Sequence, residues 1–218
     1  MTYNKTAILI HQTHRSLDIK KWINLGKWIE HHNLKYILHF DRNWLFTAGV
    51  GYMHTNMLLD QFDTLVMISG RTGYNTDQIE QLLQDDHPFV SGWFYNKSIS
   101  GNRFGGRYRD DKIEFCEDDN VEDLDFISMD FCKIDSDSIL RKMSYPYFTN
   151  KIITIKGDEK NYIEKMREDW SFCLDSPIKP KVLKNLQVEI AVSLYTSDAA
   201  DEEDRVELGG RRIIKKKR

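Results

Sequence analysis

The feature that most constrains the fold is an alternation of short apolar runs with segments of helical periodicity. Residues 6–10 (TAILI), 34–40 (LKYILHF) and 64–68 (TLVMI) each have the length and the apolar character of a buried strand. Between the first two runs, apolar residues recur at the spacing of one helix face: Trp22, Leu25 and Ile29. Because strands that alternate with helices pair in parallel, the first half predicts a doubly wound α/β sheet.

Later segments extend this pattern and then change it. Asn75 and Gln78 form a capping pattern for a short helix that runs to Leu83. Further elements are predicted as helices at residues 47–59, 135–143 and 158–168, strands at residues 89–95, 108–115, 124–134 and 182–192, and a glycine-rich turn region at residues 101–106. Parallel units followed by hairpins predict a mixed, mainly parallel sheet within a single α/β domain.

Composition excludes several classes of protein. No apolar run approaches the roughly 20 residues that a membrane-spanning helix needs. The formal net charge of −3 lacks the basic surplus that is typical of a nucleic-acid binder. The cysteines, Cys116, Cys132 and Cys173, include no Cys-x-x-Cys pair, which favours reduced thiols over a metal site. We therefore expect a cytoplasmic protein with no transmembrane segment and no nucleic-acid partner.

The order of these segments resembles the glycosyltransferases of the A-type (GT-A, Rossmann-like) fold, in particular small family-2-like members from phages and bacteria. Four segments carry the resemblance, in the family's order: residues 63–68, 81–95, 126–135 and 146–159. The first is similar to the strand that delivers the family's Asp-x-Asp motif, and the last to the acidic motif that holds the catalytic base. The resemblance implies a domain at residues 1–192 that transfers a sugar from a nucleotide-diphosphate donor to an acceptor.

The metal-binding motif of the family is missing at the expected place. Family members hold a divalent ion, Mn²⁺ or Mg²⁺, with Asp-x-Asp, because hard cations take carboxylate and phosphate oxygens. Ser69 and Arg71 occupy these positions, and the family histidine that often supplies a late ligand would fall near Leu183. The sequence therefore predicts no metal ligands here. The Arg71 guanidinium is expected to grip phosphate in the cation's place; the alternative is a solvated turn residue in an inactive site.

The resemblance also implies contacts with the nucleotide sugar. Thr13, His14 and Arg15 follow the first strand, where family members contact the nucleotide. Asp41 follows the second strand and is a candidate for contact with uracil or ribose. Together with Ser69 and Arg71, these residues form the predicted binding site. The alternative for each is an ordinary polar residue on a surface loop.

Asp158 and Glu159 are the predicted catalytic residues. They fall at the start of a predicted helix within the late acidic motif, where one of them would act as the general base toward the acceptor hydroxyl. The family's order is Glu then Asp, whereas this pair runs Asp then Glu, so either residue is a candidate. The alternative is N-terminal capping, since the helix dipole favours carboxylates there.

The carboxyl-terminal residues 193–218 differ in character from the rest of the chain. Residues 194–202 (LYTSDAADE) resemble a translated sequencing adapter, residues 206–214 resemble its far end, and residues 215–217 (KKK) resemble a translated run of A. Fusion scars are excluded from reasoning about the fold. We therefore expect a non-native, disordered tail and the loss of the native carboxyl terminus.

Two functions of different classes are consistent with these features. The first is a glycosyltransferase that works without a metal. The second is a catalytically inactive glycosyltransferase-like module that binds a nucleotide, a glycan or a protein partner. A nucleotidyltransferase is a third and weaker possibility, because that class needs paired carboxylates for magnesium, which Ser69 and Arg71 do not offer.

Overall fold

The amino-terminal half folds into a parallel β-α-β arrangement. The computed structural model describes residues 5–12, 19–40, 62–70, 72–95, 105–110, 112–115, 124–144, 147, 151–156, 161–166 and 168–190. β1 (Thr6–Gln12), β2 (Lys35–Phe40) and β3 (Thr64–Ser69) form at the three apolar runs, and β1 pairs in parallel with both neighbours. Residues 7–10 are at most 2% exposed, as expected for a parallel strand covered on both faces.

Helix α1 (Ile19–His31) connects β1 to β2. Leu25 and Ile29 are buried in the core, and Trp22 packs against it partly buried, which confirms the predicted helix face. The helix predicted at residues 47–59 lies outside the described residues, as does the predicted tail. Among the described residues, no helix combines the length and the apolar character needed to cross a membrane.

Helix α2 (Thr76–Gln84) carries the predicted capping box. The Asn75 side chain accepts a hydrogen bond from the Gln78 N–H at 2.9 Å, and the Gln78 side chain accepts one from the Asn75 N–H at 2.8 Å. Both interactions satisfy amide groups that a helix start leaves without intrahelical partners. Ile79 and Leu82 then bury the apolar face of the helix.

The second half of the chain adds strands of both directions to the sheet. β5 (Phe89–Tyr95) and β12 (Lys181–Ile190) run parallel to β1, whereas β9 (Phe131–Asp135) lies antiparallel between β3 and β5. The short β4 (Thr72–Gly73) pairs antiparallel with the end of β12. The order is β2-β1-β3-β9-β5-β12-β4. This confirms the predicted mixed α/β sheet, in which most strands run in one direction.

Two small antiparallel sheets accompany the large one. The first contains β6 (Gly105–Arg109), β7 (Lys112–Phe115) and β8 (Phe126–Ile127), with β6 in the middle. The second is a pair formed by β10 (Ile152–Lys156) and β11 (Asn161–Lys165). The first sheet lies where strands were predicted, whereas the β10–β11 pair was not predicted from the sequence.

Three predicted elements of this half are wrong in detail. The strand predicted at residues 108–115 is a hairpin of β6 and β7 that turns at Asp110, whose φ is 51°. The strand predicted at residues 124–134 is divided into β8 and β9. The helix predicted at residues 135–143 is reduced to a 3-10 turn at Leu140–Lys142. In the first two cases a turn divides the predicted strand, and in the third only a short turn of helix forms.

The helix predicted at residues 158–168 is wrong over residues 161–165, which form β11. These residues pair with β10, with Tyr162 opposite Ile155 and Ile163 opposite Thr154. β-branched and aromatic residues favour this pairing over a helix. Helix α3 (Glu168–Asp175) begins at the residue where the predicted helix was to end.

The glycine-rich segment, predicted to be a turn, ends in a strand. Gly105 and Gly106 begin β6 and are buried. A Cβ atom on Gly106 would lie 2.3 Å from the carbonyl oxygen of Glu114 on β7. Glycine is therefore required at this position by the close approach of two strands. Residues 101–104 lie outside the described residues.

Charges of opposite sign meet at the amino ends of the parallel strands. The Asp85 carboxylate accepts hydrogen bonds from Lys181 Nζ at 2.7 Å and from the His87 N–H at 2.9 Å. The ammonium of the buried Lys133 donates to the Asp85 carbonyl. We call Asp85, Lys133 and Lys181 the amino-edge cluster. Burial acts to raise the pKa of Asp85, but the hydrogen bonds and the two ammonium charges outweigh it and lower that pKa.

Candidate functional site

Most strands of the large sheet end at one edge, which we call the carboxyl edge. The strands β1, β2, β3, β5 and β12 end there at Gln12, Phe40, Ser69, Tyr95 and Ile190. The antiparallel β9 begins at the same edge, with Phe131 opposite Ile68. Ligands of open α/β sheets bind beyond the carboxyl ends of the strands. Polar residues at this edge are therefore the first candidates for a functional site.

Ser69 ends β3 at the position where the family carries its first metal-binding carboxylate. It is 1% exposed, and its N–H donates to the Asp130 carbonyl at 2.6 Å. Its own carbonyl accepts from the Thr72 hydroxyl at 2.6 Å. Ser69 is therefore bonded both to the residue that precedes β9 and to β4.

Asp130 brings a buried carboxylate to the carboxyl edge. Its side chain is 2% exposed, and its Oδ2 accepts from the Ser128 hydroxyl at 2.5 Å. Burying a carboxylate is costly, so a fold keeps one where it has a specific structural or chemical role. Asp130 was not predicted as a site residue, because it lies inside a mainly apolar segment that predicts an uninterrupted strand.

A buried acidic pair, Glu168 and Asp169, opens helix α3. The two residues are 7% and 1% exposed, and Asp169 Oδ1 accepts from the Trp170 N–H at 3.0 Å. The Trp170 ring packs on Phe126 of β8, with the ring centroids 4.7 Å apart. The first turn of α3 is thereby held against the strand that leads to Asp130.

The buried thiol of Cys132 interacts with two of these carboxylates. Burial raises the pKa of Cys132 well above its ordinary value, and the charges of Cys173, Asp130 and Asp169 raise it further. Asp130 and Asp169 therefore act on the same thiol of β9, although they are far apart in sequence. We call Ser69, Asp130, Glu168 and Asp169 the carboxyl-edge site.

A cation approaches this site from helix α1. The ammonium of Lys21 donates to the Thr72 carbonyl and lies 4.8 Å from the centroid of the Tyr74 ring. That ring stacks on Phe131 at the start of β9, with centroids 5.9 Å apart. A positive charge is therefore fixed beside the segment that follows Ser69.

Among the residues predicted to bind the nucleotide sugar, the structure describes Ser69. The other predicted binding residues lie outside the described residues: Thr13, His14, Arg15, Asp41 and Arg71. So does the predicted catalytic pair, Asp158 and Glu159. The helix that this pair was expected to open is excluded over residues 161–165, which form β11. The roles of all these residues stay predictions.

The sequence did contain a signal for the pair that the structure brings to the site. The family's order, Glu then Asp, is reversed at residues 158–159 and kept at residues 168–169. Trp170 and Phe172 follow this second pair, and Phe172 is fully buried. A strand assigned to residues 161–165 would have moved the helix start to Glu168 and revealed the pair.

The described residues do not fit the divalent ion of the family. Ser69 supplies no carboxylate at the motif position. In the described ranges, no group of three or more His, Cys, Asp or Glu side chains is arranged to hold a metal ion.

The mixed sheet and its strand order define a glycosyltransferase-like fold of the A type, as predicted from the sequence. A solved structure with this fold, A197 from STIV, matches the chain with a TM-score of 0.51 and 16% sequence identity. The match covers 82% of this chain and 81% of A197. No protein-family model matches the chain, and no curated protein matches it. At 16% sequence identity, this likeness shows a shared fold and nothing more specific.

Proposed function

We propose that the protein is a glycosyltransferase that moves a sugar from a nucleotide-diphosphate donor to an acceptor hydroxyl at the carboxyl edge. The observation that carries the proposal is the buried Glu168–Asp169 pair, which opens α3 in the family's order, and whose Asp169 acts together with Asp130 on the buried thiol of Cys132. The A-type fold supports this choice, although one fold hosts many functions and the residues of the site must carry the argument.

Asp169 is the general base in this proposal. The Trp170 N–H bonded to its Oδ1 orients the carboxylate, and the start of a helix favours its anionic form. The carboxylate takes the proton of the acceptor hydroxyl while the hydroxyl oxygen forms a bond to the anomeric carbon. The bond from that carbon to the diphosphate oxygen breaks, and the electron pair leaves with the nucleoside diphosphate. Asp158 and Glu159 are the competing candidates for the base.

The donor would bind across the ends of β1, β2 and β3. Thr13, His14, Arg15 and Asp41 are the proposed contacts for the nucleoside, and Arg71 is a proposed counter-charge for the diphosphate. The buried hydrogen bonds of Ser69 support this arrangement, because they fix the end of β3 against Asp130. A preorganised site stabilises developing charge without reorganising during the reaction.

The test is release of nucleoside diphosphate by the full chain from a panel of nucleotide sugars in the presence of a chelator. Asp169→Asn should lower release by about 10²–10⁴-fold, the contribution of a general base. Asp175→Asn, an exposed position at the other end of α3, is the matched control and should leave release unchanged.

Other outcomes would redirect or refute the proposal. Release that survives Asp169→Asn and disappears in the Asp158→Asn, Glu159→Gln double variant would assign the base to the latter pair. Release that requires added manganese would contradict the metal-independent mechanism. If no nucleotide sugar is turned over, the catalytic proposal fails.

A second candidate function is a binding module that has lost catalysis. The serine at the motif position favours it, because Ser69 cannot replace a metal-binding carboxylate. This function predicts calorimetric binding of a nucleotide or glycan with no turnover. Because binding should survive Asp169→Asn under either function, the absence of turnover in the wild type is what separates the two candidates.

A further inference from the structure

We infer that Lys21 binds the diphosphate of the donor and supplies positive charge where the family uses a metal ion. The inference rests on the proposed function and names the group that stabilises its leaving diphosphate. It also applies to nucleotide binding without turnover, so it can be tested apart from catalysis.

The position of Lys21 follows from the topology. β1 ends at the carboxyl edge, and α1, the next described element, packs on the sheet and leads back to the start of β2. The first turn of α1 therefore lies at the carboxyl edge, and Lys21 is in this turn. Its contact with Thr72 places the ammonium beside the segment in which the family carries its metal motif.

The contacts of Lys21 hold its ammonium in one place. The Thr72 carbonyl accepts its hydrogen bond, and the face of Tyr74 lies below it at 4.8 Å from the centroid. Thr72 is fully buried, and Tyr74 is 9% exposed and stacked on Phe131. A lysine side chain ordinarily loses rotamer entropy when it binds an anion. Here the fold has already ordered it.

The chemistry of this arrangement matches a diphosphate. An ammonium is a compact point charge that binds phosphate oxygens, and its attraction to them strengthens as negative charge grows on the leaving group. The contact of Lys21 with the Thr72 carbonyl places this charge between the end of β3 and the first turn of α1.

A purely structural role is the alternative, since the contacts with Thr72 and Tyr74 also stabilise the fold. A matched set of variants separates the two roles. Lys21→Met removes the charge and keeps the apolar stem, whereas Lys21→Gln removes the charge and keeps an N–H donor. Lys27→Met, at an exposed lysine further along α1, is the control.

The experiment is calorimetric titration of the full chain with UDP, UMP and uridine, and with GDP, GMP and guanosine, in chelator. The wild type should bind one diphosphate more tightly than its monophosphate. Lys21→Met and Lys21→Gln should weaken diphosphate binding by about 10–100-fold, the range for hydrogen bonds to charged groups. Both should leave nucleoside binding within about twofold, and Lys27→Met should behave as the wild type.

Diphosphate binding that is unchanged in both Lys21 variants would overturn the inference and leave the proposed function standing. A wild type that binds none of the nucleotides would overturn both. Thermal melting without ligand shows whether the variants fold. Should neither fold, amine acetylation of the wild type decides: Lys21 that saturating diphosphate protects from acetylation supports the inference, and Lys21 that is acetylated equally with and without diphosphate overturns it.

Discussion

The two edges of the large sheet use buried charge in opposite ways. In the amino-edge cluster, the ammonium groups of Lys133 and Lys181 lower the pKa of the Asp85 carboxyl. At the carboxyl edge, Asp130 and Asp169 act on the same buried thiol and both raise its pKa. Cations act on a carboxylate at one edge, and carboxylates act on a thiol at the other.

This difference separates stability from function. Hydrogen-bonded charges of opposite sign stabilise one another and explain why the fold keeps them. Buried ionisable groups cluster at sites that bind or react. The proposed function gives the buried acidic groups of the carboxyl edge a role in proton transfer, whereas it gives the amino-edge cluster a role in stability alone.

The largest expected effect is that of Asp169→Asn on turnover without a loss of stability. Turnover should fall by about 10²–10⁴-fold because the general base is lost. The free energy of unfolding should change little, because asparagine has the same shape and keeps an oxygen that can accept the hydrogen bond from the Trp170 N–H. Parallel measurement of nucleotide-sugar turnover and urea unfolding checks both parts. A variant that is strongly destabilised would show that Asp169 stabilises the fold. That result would contradict the division of function and stability between the two edges.

Asp85→Asn should have the converse effect. The variant removes the charged partner of Lys181 and one of the carboxylates that act on the buried Lys133, so the free energy of unfolding should fall by about 1–2 kcal/mol. Turnover per folded molecule should stay unchanged. Urea unfolding and the same turnover assay test this, and a loss of activity in the folded variant would contradict the division of roles.

Acid should weaken the amino-edge cluster in a defined window. The hydrogen bonds and ammonium charges hold the pKa of Asp85 below its usual value of 3.8, so the folded state binds its proton less readily than the unfolded chain. The stabilisation is therefore complete above about pH 4 and is lost as the pH falls through the folded-state pKa. The stability difference between wild type and Asp85→Asn should shrink toward zero on acidification. A difference that is constant down to about pH 2 would contradict this assignment.

The smallest expected effect concerns Lys133 at alkaline pH. Burial lowers the pKa of Lys133 from its ordinary 10.5, against the opposing charges of Asp85 and neighbouring aspartates. The folded state releases this proton first, so the contribution of Lys133 to stability rises as the pH approaches 10.5. Lys133→Met should remove that rise and change the free energy of unfolding near pH 7 by only about 1 kcal/mol. Thermal melting across the alkaline range tests the sign.

The sequence predicted those parts of the fold that depend on local pattern. The spacing of Leu25 and Ile29 gave the buried face of α1, and the pairing of Asn75 with Gln78 gave the start of α2. β10 and β11 could not be predicted from local patterns, because their stability comes from the pairing of two strands. The charged residues around Asp158 imitate a helix start, and local propensity alone does not distinguish the two structures.

The candidate site was harder to predict, because its residues come from separate segments. Asp130 gains its importance from its hydrogen bonds with Ser128 and Ser69, which form when β9 inserts antiparallel beside β3. Asp169 joins it through the packing of Trp170 on Phe126. Ser69 was predicted from the sequence because its place at the carboxyl edge depends only on where β3 ends.

The most direct test of the central claim is hydrogen exchange of the full chain with and without saturating nucleoside diphosphate. A ligand at the carboxyl edge should slow exchange in peptides that cover residues 69–74 and 168–173. Peptides from the amino-edge cluster, residues 85–90 and 181–183, should exchange at the same rate in both conditions. Protection confined to the amino edge, or no protection with any nucleoside diphosphate, would contradict the account.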